Sequence, residues 1–126
     1  MKIVSWNCRG LGSSYKKEEI RDIVRMEKMP ILLLQEIKLS EAEMTESLKK
    51  IWKNNKEEMT NYVGALGGLC TLWDPRELAL QKVIKNLHWM MVTLQHIQTG
   101  KKFNIYNVYA PNTFVGKTRL WKSLSK

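Results

Sequence analysis

Apolar positions along the first half of the chain follow two periods. Residues 2–7, KIVSWN, alternate at the period of a strand, and the glycine-broken CRGLGSS that follows reads as a turn. From Tyr15 to Lys28, Ile20, Ile23, Val24 and Met26 return at helical spacing, with Ser13 or Ser14 as cap and Pro30 as the stop. ILLL at 31–34 is too apolar to alternate, which suits an inner strand covered on both faces and places Glu36 at or just past its end. A second helix is expected over 41–53, capped by Ser40, with Met44, Leu48, Ile51 and Trp52 on one side.

The second half reads differently. YVGALGGLCTLWDP predicts a short strand, a glycine bend and another strand closed by Pro75. LALQKVI, WMMVTLQHI and KFNIYNVYAP are three successive strand-like segments, the pattern of a meander, and GKTRLWKSLSK begins an amphipathic helix. The predicted class is α+β, a layered α/β sandwich with facing sheets and helices outside. Two sheets and their covering helices normally take more than these 126 residues, so a single, incomplete domain over 1–126 is expected.

Charge changes the picture by its distribution. Residues 1–63 hold 12 basic and 10 acidic side chains, whereas residues 64–126 hold 9 basic and 2 acidic, so most of the net +9 lies in the second half. Such a surface attracts a polyanion, and nucleic acid is the expected partner, although charge alone says nothing of cleavage. The apolar runs are far shorter than the roughly 18 residues of a membrane span, so neither membrane insertion nor secretion is expected. An intracellular location, the nucleus included, is compatible with this. Cys8 and Cys70 lack metal or redox spacing and are expected to be buried thiols.

Glu36 is the sharpest candidate for chemistry. A carboxylate after a buried strand is rigidly held and is a hard oxygen ligand suited to Mg²⁺; the plain alternative is a first exposed residue paired to Lys38. Asn7 follows the first strand as Glu36 follows the second. If the two strands are parallel neighbours joined by the 15–28 helix, both end on one sheet edge. Asn7 alone could equally cap the turn before Gly10. Arg9 can contact phosphate or be solvated, and Tyr109 and Asn112 flank a proline turn at a third strand end, where they can hydrogen-bond a substrate or line a rim. His88 and His96 lack ligand spacing and read as structural or surface residues. GALGGLC lacks the Lys and Ser/Thr of a phosphate loop, so its glycines are expected to serve a bend or close packing.

Taken together, SWNCRGLG at 5–12, PILLLQEIKL at 30–39, GGLCTLW at 67–73, NVYAPN at 107–112 and RLWKSL at 119–124 resemble the endonuclease/exonuclease/phosphatase superfamily. The likeness is nearest to the endonuclease module of plant non-LTR, LINE-type retroelements. It implies a four-layered α/β sandwich, here partial, that hydrolyses phosphodiesters, DNA above all, with Mg²⁺ or Mn²⁺. Asn7, Glu36 and Tyr109 match catalytic positions, Glu36 matches the metal ligand, and Arg9 and Asn112 match phosphate or substrate contacts. Arg9 stands where nucleases for damaged DNA look acidic, which argues against abasic-site repair. The family's later Gly-Asp-x-Asn and Ser-Asp-His segments do not occur in the sequence. The resemblance therefore implies a nuclease relative that is catalytically incomplete as this chain, with a basic nucleic-acid-binding module as the alternative.

Overall fold

The structure, a computed structural model, describes residues 2–60 and 67–109. In chain order these form β1 (Ile3–Asn7), α1 (Ser14–Glu27), β2 (Ile31–Gln35), α2 (Glu41–Ile51), β3 (Lys56–Met59), β4 (Leu69–Trp73), β5 (Leu78–Lys85), β6 (Trp89–His96) and β7 (Lys102–Val108). The expected strand near residue 62, the C-terminal helix and Asn112 lie outside the described residues.

Two sheets face each other. The first has the order β1-β2-β4-β3, with β1 parallel to β2 and the other pairs antiparallel; the second is the antiparallel meander β5-β6-β7. The ILLL run is explained by this layering. Leu32 and Leu34 point into a core shared with Ile20, Met44, Leu48 and Ile51 of the two helices, while Ile31 and Leu33 point into a core shared with Met90, Val92 and Leu94 of the second sheet. Because both faces of β2 are covered, polar alternation has no place there. Helices, first sheet and second sheet make three successive layers, and no described helix covers the outer face of the second sheet, where Ile84 and Tyr106 are exposed.

Local chemistry places the helices. Ser13, not Ser14, caps α1 by accepting from the Lys16 N–H, and Ser40 with Glu43 closes a capping box on α2. α2 ends at Ile51, earlier than expected, with Trp52 as its cap. Met26 does not join the core, being 81% exposed. β3 had no sequence signal because KEEM is polar; its backbone is recruited by the edge of β4, with Lys56 opposite Trp73. An ion pair from Lys85 to Glu58 at 3.2 Å links this edge to the second sheet.

No helix among the described residues is long and apolar enough to cross a membrane. Cys8 and Cys70 are buried and unbridged. Burial pushes the Cys8 thiol from 9.0 up to about 12, opposed by Lys16 and reinforced by Glu36, and burial likewise raises Cys70. Both thiols are neutral when folded and ionise first when unfolded. Their contribution to stability is therefore complete below about pH 9 and lost as pH rises through the folded values. Urea midpoints are expected to fall between about pH 9 and 11, with a shallower fall in Cys8→Ala; parallel profiles would refute this assignment.

Candidate functional site

The parallel pairing of β1 and β2 aligns Asn7 with Gln35, so Asn7 and Glu36 stand at one edge of the first sheet. Past the strand ends the two chains stay zipped. The N–H groups of Cys8, Gly10 and Leu11 donate to the carbonyls of Gln35, Glu36 and Ile37 at 2.7–2.9 Å. On the other side, Ile37 and Lys38 donate to Gly68 and Gly67. Glu36 is thus held by its backbone from two sides while its side chain is half-buried at the edge.

Backbone strain collects here. Arg9, Glu36 and Lys38 have φ of 50°, 51° and 51°, a left-handed region that costs non-glycine residues roughly 1 kcal/mol each. Gly67 explains why the chain can approach Glu36 so closely. It has φ of 73°, and a Cβ there would lie 2.8 Å from the Glu36 Cα. Gly67 and Gly68 therefore serve close packing, as expected, Gly67 against the Glu36 backbone and Gly68 against Ile37 and the Thr60 carbonyl. Lys38 is not its partner: no ion pair or hydrogen bond to the Glu36 carboxylate is found among the described residues.

Asn7 is exposed, and its Oδ1 accepts from the Arg9 N–H at 3.1 Å, so it caps the turn while standing beside Glu36. Arg9 is exposed. Lys16, which carries no sequence signal, reaches back from the first turn of α1 and donates through Nζ to the carbonyls of Cys8, Arg9 and Gly10 at 3.0–3.1 Å. One ammonium thus holds the turn on which Arg9 sits.

Tyr109 comes to the same end of the molecule through β7. It packs against the core between the sheets, and its N–H donates to the His88 carbonyl at 2.8 Å. The link to the first sheet is a pair of amides that sequence reading missed. Gln35 Nε2 donates to Ser5 Oγ at 3.0 Å and to Asn107 Oδ1 at 2.9 Å. Asn107, 1% exposed, shares its own N–H groups among the carbonyls of Leu34 and Cys70 and the Thr71 hydroxyl at 3.0–3.3 Å. The end of β7 is thereby tied to the ends of β1, β2 and β4, two residues before Tyr109 and one before Glu36.

Asp74 and the two histidines lie away from this edge or in structural roles. Asp74 sits in the Trp-Asp-Pro turn at the start of β2, the opposite edge, where its hydrogen bond to Arg76 holds its carboxyl below the usual range despite burial. Trp73 beside it is buried. His96 Nδ1 pairs with the Thr99 hydroxyl at 3.0 Å in a turn, while His88 Nδ1 is buried without a partner among the described residues.

Among the described residues the edge offers a cation one carboxylate without an ion-pair partner and one amide oxygen. No cluster of three His, Cys, Asp or Glu that could hold a metal occurs among the described residues. This donor set fits a largely hydrated Mg²⁺ completed by substrate phosphate, the usual habit of that ion, and does not fit a closed protein cage.

The chain matches no family model, and no curated protein matches it. Solved structures do. D. rerio TDP2 complexed with a single-strand DNA product gives a TM-score of 0.73 at 13% identity, over 97% of this chain and 52% of that one. The AP endonuclease LMAP from Leishmania major gives 0.65 at 20% identity, over 94% and 42%, and the Xenopus laevis APE2 catalytic domain gives 0.63 at 16%, over 97% and 49%. This chain has an endonuclease/exonuclease/phosphatase-like fold. It spans about half the length of these proteins, and at such identities the likeness concerns the endonuclease/exonuclease/phosphatase-like fold alone.

Proposed function

We propose that these 126 residues form a nucleic-acid-binding unit related to metal-dependent phosphodiesterases, nearest to the plant LINE-type endonucleases, which does not turn over by itself. The observation that carries the reading is the convergence of Asn7 and Glu36 on one edge of a parallel strand pair, with the Tyr109 strand tied to that edge through Asn107 and Gln35. In this reading Glu36 holds Mg²⁺ or Mn²⁺ at a backbone position fixed from both sides, and Asn7 presents its amide beside it. Arg9 offers a planar guanidinium to a phosphate, Tyr109 offers a hydroxyl from the facing sheet, and Asn112 follows it in the NVYAPN segment. A bound ion would supply charge stabilisation on a phosphoryl group. Groups that orient and deprotonate water are supplied in the family by the Gly-Asp-x-Asn and Ser-Asp-His segments, which this sequence lacks.

Supercoiled plasmid incubated with purified chain and Mg²⁺ is therefore expected to be bound but not nicked, and Glu36→Gln is expected to be equally without nicking. Nicking that disappears in Glu36→Gln would overturn the proposal and make the edge a working site. That the described residues bring a single carboxylate to this edge also favours a second reading, a basic module that binds without metal. Binding unchanged by a chelator and by Glu36→Gln would select it.

A further inference from the structure

The far end of the first sheet carries a second feature, independent of Glu36. Between the C-terminal halves of α1 and α2 lies an open groove of about 400 Å³ whose walls carry Arg21, Arg25, Lys49, Lys50 and Lys53 around the half-buried Trp52. Of these five cations only Lys49 has a carboxylate partner among the described residues, Glu46 at 3.3 Å. Trp52 also borders the cleft beside Pro30 and Asp74, which places the groove at the start of β2. The candidate site is at the other end of that strand, roughly 17 Å away at about 3.3 Å per residue.

Helix polarity accounts for part of this charge, since Arg25, Lys49 and Lys50 sit in last turns, where cations complement the helix dipole. It does not account for Arg21, a turn earlier, or Lys53, beyond the helix. Nor does it explain why the cations of two helices face one concavity. Like charges gathered over a low-dielectric wall focus a positive potential that an extended polyanion relieves.

We infer that the α1–α2 groove binds the phosphate backbone of nucleic acid, as a second contact zone distinct from the Glu36 edge. The inference rests on the nucleic-acid reading above but not on hydrolysis. It is tested in EDTA with labelled single-stranded and duplex oligonucleotides, by fluorescence anisotropy across a salt series. Replacing Arg21, Arg25, Lys50 and Lys53 together by glutamine is expected to weaken binding about 30-fold and to flatten the slope of log affinity against log salt by about 3. A control with equal charge loss on exposed positions elsewhere, Lys56, Lys82, Lys101 and Lys102 to glutamine, is expected to weaken binding less than about threefold. Lys53→Gln alone, on an exposed turn, is expected to cost about threefold and guards against misfolding of the fourfold variant. Equal losses in both fourfold variants would overturn the inference, as would polyglutamate competing as well as an oligonucleotide of equal charge. Absence of binding by the unmodified chain would overturn both readings; binding insensitive to the groove would overturn this one alone.

Discussion

Asn107→Leu is expected to lower the unfolding free energy by about 2–4 kcal/mol, although leucine keeps the branched four-atom skeleton of asparagine and the site is almost dry. The cost comes from the partners. Gln35 loses an acceptor and Thr71 loses a donor, while the carbonyls of Leu34 and Cys70 each lose one donor. Buried polar groups left unpaired cost more than the original bonds contributed net. Asn107→Asp gives a sharper test because it keeps the acceptor toward Gln35 but turns a carboxylate toward two carbonyl oxygens. At neutral pH it is expected to be less stable than Asn107→Leu. Its carboxyl pKa is raised by burial and by those oxygens, so the penalty shrinks as pH falls below that folded pKa and the protonated group donates again. Urea denaturation followed by tryptophan fluorescence at several pH values measures both effects. An aspartate variant as stable as the native chain at neutral pH would show that the amide does not donate as assigned.

Gly67→Ala is expected to be the most disruptive single-carbon change near the candidate site, costing about 2–3 kcal/mol. The added carbon meets backbone, the Glu36 Cα, and no rotamer change can move it away. Relief requires either Gly67 or Glu36 to shift, and the latter shift would break the Gly10 N–H bond to the Glu36 carbonyl at 2.7 Å. Gly12→Ala is the control: nothing lies within 4 Å of its added carbon and no positive φ is involved, so its stability should be near native. Amide exchange at Gly10 reports the local consequence, with protection lost in Gly67→Ala and kept in Gly12→Ala. Unchanged protection would mean that Glu36 is not held by this contact.

The elements that sequence reading reached were those with a local cause. Ser40, Pro30 and the apolar rhythm of 20–24 and 44–51 act within a few residues, and β2 announced itself by lacking polar positions. The joint edge of Asn7 and Glu36 followed from right-handed crossover connections once two strands flanked a helix. What was not legible depends on distant partners. KEEM is a strand only because β4 needs a neighbour, and Lys16 looks like any helix lysine until three carbonyls of the preceding turn converge on it. Asn107 reads as one more polar residue of β7, since nothing in NVYAPN says that Gln35, 72 positions earlier, faces it. Met26 failed for the opposite reason, because Ile20, Ile23 and Val24 turn one face of α1 to the core while Met26 falls on the flank and stays exposed.

The strand order also has a kinetic consequence. β5, β6 and β7 close through short connections into adjacent hairpins, whereas β1 must find β2 across the whole of α1, and β4 must return past α2 and β3. Local pairings form faster than those separated by long stretches of chain. The meander is therefore a natural early unit, and the first sheet forms against it as the crossover closes. The bond between Gln35 and Asn107 joins the two units and therefore requires both to be in place.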